Sequence, residues 1–561
     1  MPTGQEFKQI IADKLDSGAN ILWINLMGDE GRCERFLRSV FTESTPRFEF
    51  CTWDVVSGAS WDASLKDPAA AIAGAAGLSQ KYAAVLFRDL HLMVNSQVNF
   101  QLRRALAELC KNNQLVNDHR VHPLIILSDN PTPHPEIRDY CDVIDYDLPT
   151  HSELVEDVFN HSQESLRQQV DNAADAECSD ELRDHIVEKL LGLSAEEAQR
   201  ILNYAIMRAA GINDGILPVI ADEKAKSIAK INGLKFVPYD GIRDESTIAG
   251  FEICLQFVHK RKWSYTRHAQ DEGVPRPRGI ALVGPPGTGK TMVAMAIAKI
   301  LGLDLIMMDI GSMYDSLVGS SEKRIRQALG VVAAMPNCVL MVDEIDKALA
   351  NAHTNAATDS GVSSRMLSYF LNWLSERDMT ADVGNRTFVI VTMNRTAGLP
   401  PEMLRAGRFD RIFSTAIPDA TERKQHVAIQ LERYGIPAEQ YGKALGSVVN
   451  ATDGYSGAEI EEVVVASRHN ALAVKMDAWQ EAGSTGDKPG GEELWPDIED
   501  LLAAASEITP LSRLDKEAID EITKFCQNRT TPVTGHRTAG GTRAAKRIRT
   551  RKTGAADASA N

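Results

Sequence analysis

The chain has 561 residues, too many for one hydrophobic core, and length alone predicts about three to five folding units. A formal net charge of −16 and an isoelectric point near 5.4 exclude nucleic-acid or anionic-membrane binding through the bulk of the folded surface, so any such contact is local. Eight cysteines with no C-x-x-C pair argue against a disulfide framework or structural zinc and for a reducing compartment, the cytoplasm; no apolar run reaches the ~18–20 residues of a membrane span, and Met1 to Ser17 fits neither a signal nor a transit peptide.

The first 150 residues alternate apolar runs with helical patterns. Ile21 to Leu26, Phe48 to Val55, Ala83 to Phe87 and Pro123 to Leu127 read as strands, followed by Val143-Ile144, with helices over Gly31 to Phe41 and Val98 to Leu109. That order predicts a parallel α/β layer. After its first strand comes Met27-Gly28-Asp29-Glu30-Gly31-Arg32, which has glycines but no G-K-[ST] and predicts no strong grip on a triphosphate. Residues 151–235 read as a helical lid or connector, with Ser194 as a helix cap and Glu197 completing a capping box.

A second α/β unit is expected over 236–418 and a second helical unit over 419–530, broken by a Gly/Ser/Lys/Pro loop between Gly483 and Gly491. Residues 531–561 lack apolar periodicity and carry Arg537, Arg543, Lys546, Arg547, Arg549, Arg551 and Lys552, which predicts a disordered basic tail. Nucleic acid, an acidic partner, or no ligand at all are its three readings.

The chemistry is concentrated in the second α/β unit. Ile280 to Val283 runs into Gly284-Pro285-Pro286-Gly287-Thr288-Gly289-Lys290-Thr291, and then into the helical run from Met292 to Ile297. This is strand, phosphate loop, helix: small residues let backbone N–H groups face a triphosphate, the helix start adds positive potential, Lys290 adds a full charge and Thr291 offers a hydroxyl to Mg²⁺. Cys338 to Val342 is a buried-type strand ending in Asp343-Glu344, where Asp343 can hold Mg²⁺ through water and Glu344 can activate an attacking water. A third strand, Thr387 to Met393, ends at Asn394, whose amide can bridge a γ-phosphate and that water. Arg405 and Arg408 have no phosphate partner in their own site, which suggests delivery to a neighbour's site.

These motifs resemble those of the AAA ATPases. Gly284 to Thr291 resembles Walker A, Val339 to Glu344 Walker B, Asn394 sensor 1, and Arg405 with Arg408 the arginine fingers that act on a neighbouring subunit. Gly454 to Ile460, with Gly457 and Ala458, resembles the lid segment that packs on adenine, and Ile248-Ala249-Gly250 the adenine-contacting start of the module, with Ala249 where glycine is commoner. The resemblance implies ATP and Mg²⁺ as ligands, with Met292 following the phosphate-loop threonine in the nucleotide-binding set, and a homo-oligomeric ring, usually a hexamer. Tyr314 to Glu322 lies where AAA unfoldases carry an aromatic-apolar-glycine pore loop, but Leu317 replaces the aromatic. A narrower resemblance, carried by Leu317-Val318-Gly319, Gly361 to Arg365 and Phe370 to Leu374, is to the AAA protein family of hypothetical chloroplast reading frame 46 and its bacterial relatives.

On this basis residues 1–150 are expected to be a degenerate AAA-like domain: Arg88-Asp89 stands in the Walker B slot, Asp129 in the sensor 1 slot, and no arginine pair follows Pro135-Glu136. A plain α/β adaptor explains the same strand order. The expected activity is hydrolysis of ATP to ADP and phosphate, coupled to remodelling of a protein client. A scaffold ATPase whose nucleotide state gates partner binding, and a nucleic-acid remodeller using the basic tail, are the alternatives.

Overall fold

The computed structural model describes residues 4–535, apart from 27–28, 45–46, 77, 79–81, 96–98, 116–121, 130, 132, 170–176, 243, 267, 270–271, 314–319, 336, 347–361, 377–386, 396–406 and 482–487. The chain divides into two compact units: Met1–Glu245 with Val258–Leu282 and Thr291–Arg411, and Ser246–Phe257 with Val283–Lys290 and Ile412–Asn561.

In the first unit, strands β1 (Ile21–Asn25), β2 (Glu49–Asp54), β3 (Gly58–Ala59), β4 (Ala83–Phe87), β5 (Leu124–Ser128) and β6 (Cys141–Asp145) form one sheet in the order β3-β2-β4-β5-β1-β6. Every residue of β1, β4 and β5 is buried, as strands covered on both faces require. Alternate residues feed two cores: Ile21, Trp23, Val85 and Phe87 enter one, Leu22, Ile24, Ala84 and Leu86 the other. Pairing is parallel, Ile21 standing opposite both Leu124 and Cys141. The exception to the expected parallel layer is β3, which turns back antiparallel on β2 through Gly58 at φ 79°.

The connector has its own core of Leu154, Phe159, Ile186, Leu190, Ile201 and Leu202. Ser194 caps the helix Ala195–Ala209 by accepting from Glu197 N. The Glu197 carboxylate, expected to complete a capping box, instead accepts from Ser227 Oγ at 2.9 Å on the helix Ile216–Ile228. Lys189 Nζ reaches both oxygens of Asp304 at 3.1 Å. Lys224 is buried over the Phe236 ring, and burial pushes its ammonium down to about 8.

Strands β7 (Leu234–Val237), β8 (Gly279–Val283), β9 (Asp304–Met308), β10 (Cys338–Val342) and β11 (Phe388–Met393) lie in the order β8-β11-β10-β9-β7, with β7 antiparallel at the edge. The series β9-β10-β11-β8 repeats β2-β4-β5-β1 of the first sheet: in each, the first strand of the module lies beside its fourth.

In the second unit, β12 (Arg411–Ser414) pairs with β13 (Thr531–Pro532), Phe413 standing opposite Thr531. Residues 531–533, expected in the basic tail, therefore belong to the fold. Val533 is buried, donates from its N to Ser414 O and accepts from Ile253 N, so its backbone groups are paired. The helices Ala420–Arg433, Leu445–Ala451, Gly457–Glu481 and Ile498–Glu507 close on Val427, Leu431, Val448, Tyr455, Ile460 and Leu501.

Candidate active site

The phosphate-loop half lies in the second unit. Val283 ends its strand, Gly284 to Gly289 form the loop, and Lys290 opens the helix Lys290–Leu301. Two glycines are dictated by geometry. A Cβ on Gly284 would overlap the carbonyl and hydroxyl of Thr415, and Gly287, at φ 74°, would bring a Cβ within 2.7 Å of Ser456 Oγ. Thr288 Oγ1 donates to Pro285 O at 2.8 Å and shares a 2.7 Å bond with Thr415 Oγ1. Lys290 is buried, and its Nζ donates to Gly284 O and Pro285 O at 2.8 and 2.7 Å. A buried ammonium folded onto loop carbonyls at a helix start is a donor set that fits phosphate oxygens.

The lid segment is hydrogen-bonded to this loop, Ala458 N donating to Gly287 O at 3.0 Å. Ser456 precedes the helix Gly457–Glu481, its N donating to Glu459 Oε2 at 2.7 Å, while Glu459 Oε1 accepts from Leu511 N. A Cβ on Gly457 would stand 3.1 Å from the His426 ring, whose burial holds its pKa below the usual range. Ala249 is buried and Gly250 has φ 80°; with Ile248, Gln425, Ile429 and Glu432 they line a cavity of about 300 Å³.

The acidic half lies in the first unit, with Thr291 and Met292 half-buried in the first helical turn. Asp343 follows β10, its N donating to Met308 O at 3.1 Å. Glu344 has φ 48°, a left-handed conformation that costs a non-glycine residue about 1–2 kcal/mol. Asn394 follows β11; its Nδ2 donates to Glu344 Oε1 at 2.7 Å and its N to Asp346 Oδ1 at 3.0 Å. Among the described residues Asn394 Oδ1 is buried and has no hydrogen-bond partner, an acceptor suited to a water or ligand. Thr392, fully buried, donates from Oγ1 to Asp343 Oδ1 at 2.5 Å and accepts from Glu344 N at 2.9 Å. A hydroxyl on Thr291 and a carboxylate on Asp343 are hard oxygen ligands of the kind Mg²⁺ takes.

Arg408 is half-buried, and its Nε donates to Ser375 Oγ at 3.3 Å on the helix Val362–Glu376. Its segment is tied down by Arg278, whose Nη1 donates to Gly407 O, and by Asp410 Oδ2, which accepts from Arg278 N and Gly279 N. Arg405 and the Leu317-Val318-Gly319 loop lie outside the described residues. Thr392, Thr415 and His426 escaped the sequence reading, which placed Ser456 only within the lid segment. Thr392 alone left a local signal, a hydroxyl two residues before Asn394 and hence on the same strand face.

The slot equivalent to the acidic half in residues 1–150 carries other chemistry. Arg88 Nη2 donates to Glu34 Oε2 at 2.6 Å, and Asp89 has φ 57°. An open cavity of about 680 Å³ there is lined by Glu30, Glu34, Arg88, Asp89, Asp129 and Glu196, among others. Burial and then the neighbouring Asp89 raise the Glu30 carboxyl pKa.

Strand order, glycine loop and paired acidic residues define a P-loop module of the AAA fold. The model of the ATPase family associated with various cellular activities (AAA) matches residues 280–416, and those of the SpoVK-like AAA ATPase N-terminal and second domains match 7–146 and 161–231. The AAA domain-containing protein ycf46 of Pyropia yezoensis is 30% identical over 437 residues, covering 78% of this chain and 80% of that protein. Its counterpart in Guillardia theta is 29% identical over 459 residues, covering 81% and 85%. The crystal structure of the FIGL-1 AAA domain in complex with ADP covers 55% of this chain and 97% of that one at 24% identity, with a TM-score of 0.42. The chain belongs to the AAA ATPase family, with the ycf46 proteins as relatives along most of its length.

Proposed function

We propose that this chain hydrolyses ATP to ADP and phosphate. The observation that carries the reading is Glu344 Oε1 held at 2.7 Å by Asn394 Nδ2, with Asn394 Oδ1 buried beside it and unpartnered among the described residues. Glu344 takes the proton of the attacking water and Asn394 orients that water. Lys290 and the loop from Gly284 to Gly289 hold the phosphates, while Ala249, Gly250, Met292, Gly457 and Ala458 hold the nucleoside side. Thr291 and Asp343 hold Mg²⁺, which when bound neutralises charge on the phosphate oxygens.

Arg405 and Arg408 serve a neighbouring subunit in a homo-oligomeric ring, a hexamer. Residues 1–150 and 151–235 serve assembly or partner binding, residues 236–418 and 419–530 form the ATPase domain and its lid, and the work done is remodelling of a protein client. The eight cysteines, all free, fit a reducing compartment such as the cytoplasm. No helix among the described residues is long and apolar enough to cross a membrane.

The test is phosphate release beside nucleotide binding. Glu344→Gln is expected to bind ATP like the parent while kcat falls by about 10²–10⁴, and Lys290→Ala to lose binding. Unchanged turnover in Glu344→Gln overturns the reading. A pulldown with Glu344→Gln held on ATP is the route to the client.

A further inference from the structure

We infer that Thr392 is a positioning residue of the acidic half: its one hydroxyl holds the Asp343 carboxylate, which would hold Mg²⁺, and fixes the backbone that carries Glu344. The inference rests on the ATPase reading above and adds a residue to it.

Thr392 is the one hydroxyl-bearing residue inside the otherwise apolar strand Phe388–Met393, and it is fully buried. Buried side-chain hydroxyls are paired in the large majority of cases, and this one is paired twice. It accepts from Glu344 N at 2.9 Å and spends its single proton on Asp343 Oδ1 at 2.5 Å. One side chain therefore touches both members of the acidic pair. With period two along the strand, Thr392 and Asn394 share a face, so the same strand end holds Asp343 by a hydroxyl and Glu344 by an amide.

The first half of the chain supplies an internal control. Asp89 adopts φ 57° against 48° for Glu344, and Arg88 N donates to Trp53 O at 3.0 Å as Asp343 N donates to Met308 O at 3.1 Å. There the residue two before Asp129 is Leu127, buried and without a hydroxyl. The left-handed turn thus forms without a hydroxyl at that place. What the hydroxyl of Thr392 adds is the grip on Asp343 and on the peptide of Glu344, and it is present in the half that keeps the Asp-Glu pair.

The test uses the full chain with Thr392→Val, which keeps the shape and removes the hydroxyl, and Thr392→Ser, which restores it. Two readouts are taken: steady-state phosphate release, and Mn²⁺ affinity of the chain saturated with ATPγS, followed by the electron paramagnetic resonance of free Mn²⁺. Losing an outer-shell partner of a metal ligand costs about 10–100-fold in metal affinity or activity. Thr392→Val is expected to weaken Mn²⁺ and lower kcat within that range with KM nearly unchanged, and Thr392→Ser to recover both. Parent-like Mn²⁺ affinity and kcat in Thr392→Val, or a loss that Thr392→Ser does not recover, overturns the inference. Absence of phosphate release from the parent chain overturns the ATPase reading instead, and Mn²⁺ affinity then decides the role of Thr392.

Discussion

Asp89 and Glu344 hold the same backbone position in two sheets that share a four-strand series: each is the second residue past a fully buried strand, β4 or β10, and each is left-handed. Strain at a non-glycine residue persists where the surroundings over-determine it. Here the conformation occurs twice while the chemistry differs, Arg88-Asp89 against Asp343-Glu344. The fold of the AAA module is thus present in the first half without its acidic pair.

That difference predicts the nucleotide stoichiometry. Glu30, Glu34, Asp89, Asp129 and Glu196 outweigh Arg88 around the first-half cavity, and such a wall repels phosphates. Calorimetric titration of Glu344→Gln with ATP is expected to give one nucleotide per chain. Two per chain would place a second site in residues 1–235.

Mixed assemblies test the arginines. Arg405→Ala chains and Lys290→Ala chains are each expected to be nearly inactive alone, because a trans-acting arginine is worth about 10³–10⁵ in turnover. Mixed, they should regain phosphate release at sites pairing an intact loop with an intact arginine. No recovery on mixing counts against shared sites.

Arg32 holds the first half together. It is buried against Asp29 at 3.3 Å, reaches Glu153 at 3.5 Å, and lies over the Tyr146 ring. Asp29 Oδ2 also accepts from Ala195 N in the connector. Arg32→Leu leaves the Asp29 carboxylate buried without its counter-charge, a loss of about 3–5 kcal/mol. Calorimetry is expected to show the unfolding transition of this region at lower temperature, partly recovered by adding Asp29→Asn.

His426 makes the second unit acid-sensitive. Burial disfavours its charged form, so its folded pKa lies below the usual value of 6.5. Between the two values the unfolded chain binds the extra proton, so stability is full above about 6.5 and falls as pH drops toward the folded value. His426→Leu is expected to flatten the dependence of the melting temperature between about pH 7.5 and 5.5. An unchanged slope would assign that dependence to other groups.

Much of this was legible in the chain itself. The strands were readable because parallel strands covered on both faces must be apolar throughout, as Ile280 to Val283 and Val339 to Val342 are. Asp343-Glu344 and Asn394 were readable because each follows directly on such a strand. Glu197 misled the reading because a capping box is a local pattern, whereas its carboxylate is claimed by Ser227, thirty residues on. Val533 misled it because a two-residue strand has no periodicity to detect, and its burial depends on Ser414 and Ile253.

By itself, then, the sequence determined the glycine-rich loop ahead of Lys290, the Asp343-Glu344 pair, the succession of strands along the chain and Arg88-Asp89 where the second half has Asp-Glu, since each depends on residue type at short spacing. Only the tertiary structure decided that Thr392 grips Asp343 and Glu344, that Thr415 and Ser456 crowd Gly284 and Gly287, and that His426 lies against Gly457. Those contacts join residues far apart along the chain, and no local periodicity encodes which buried hydroxyl or ring will meet which loop.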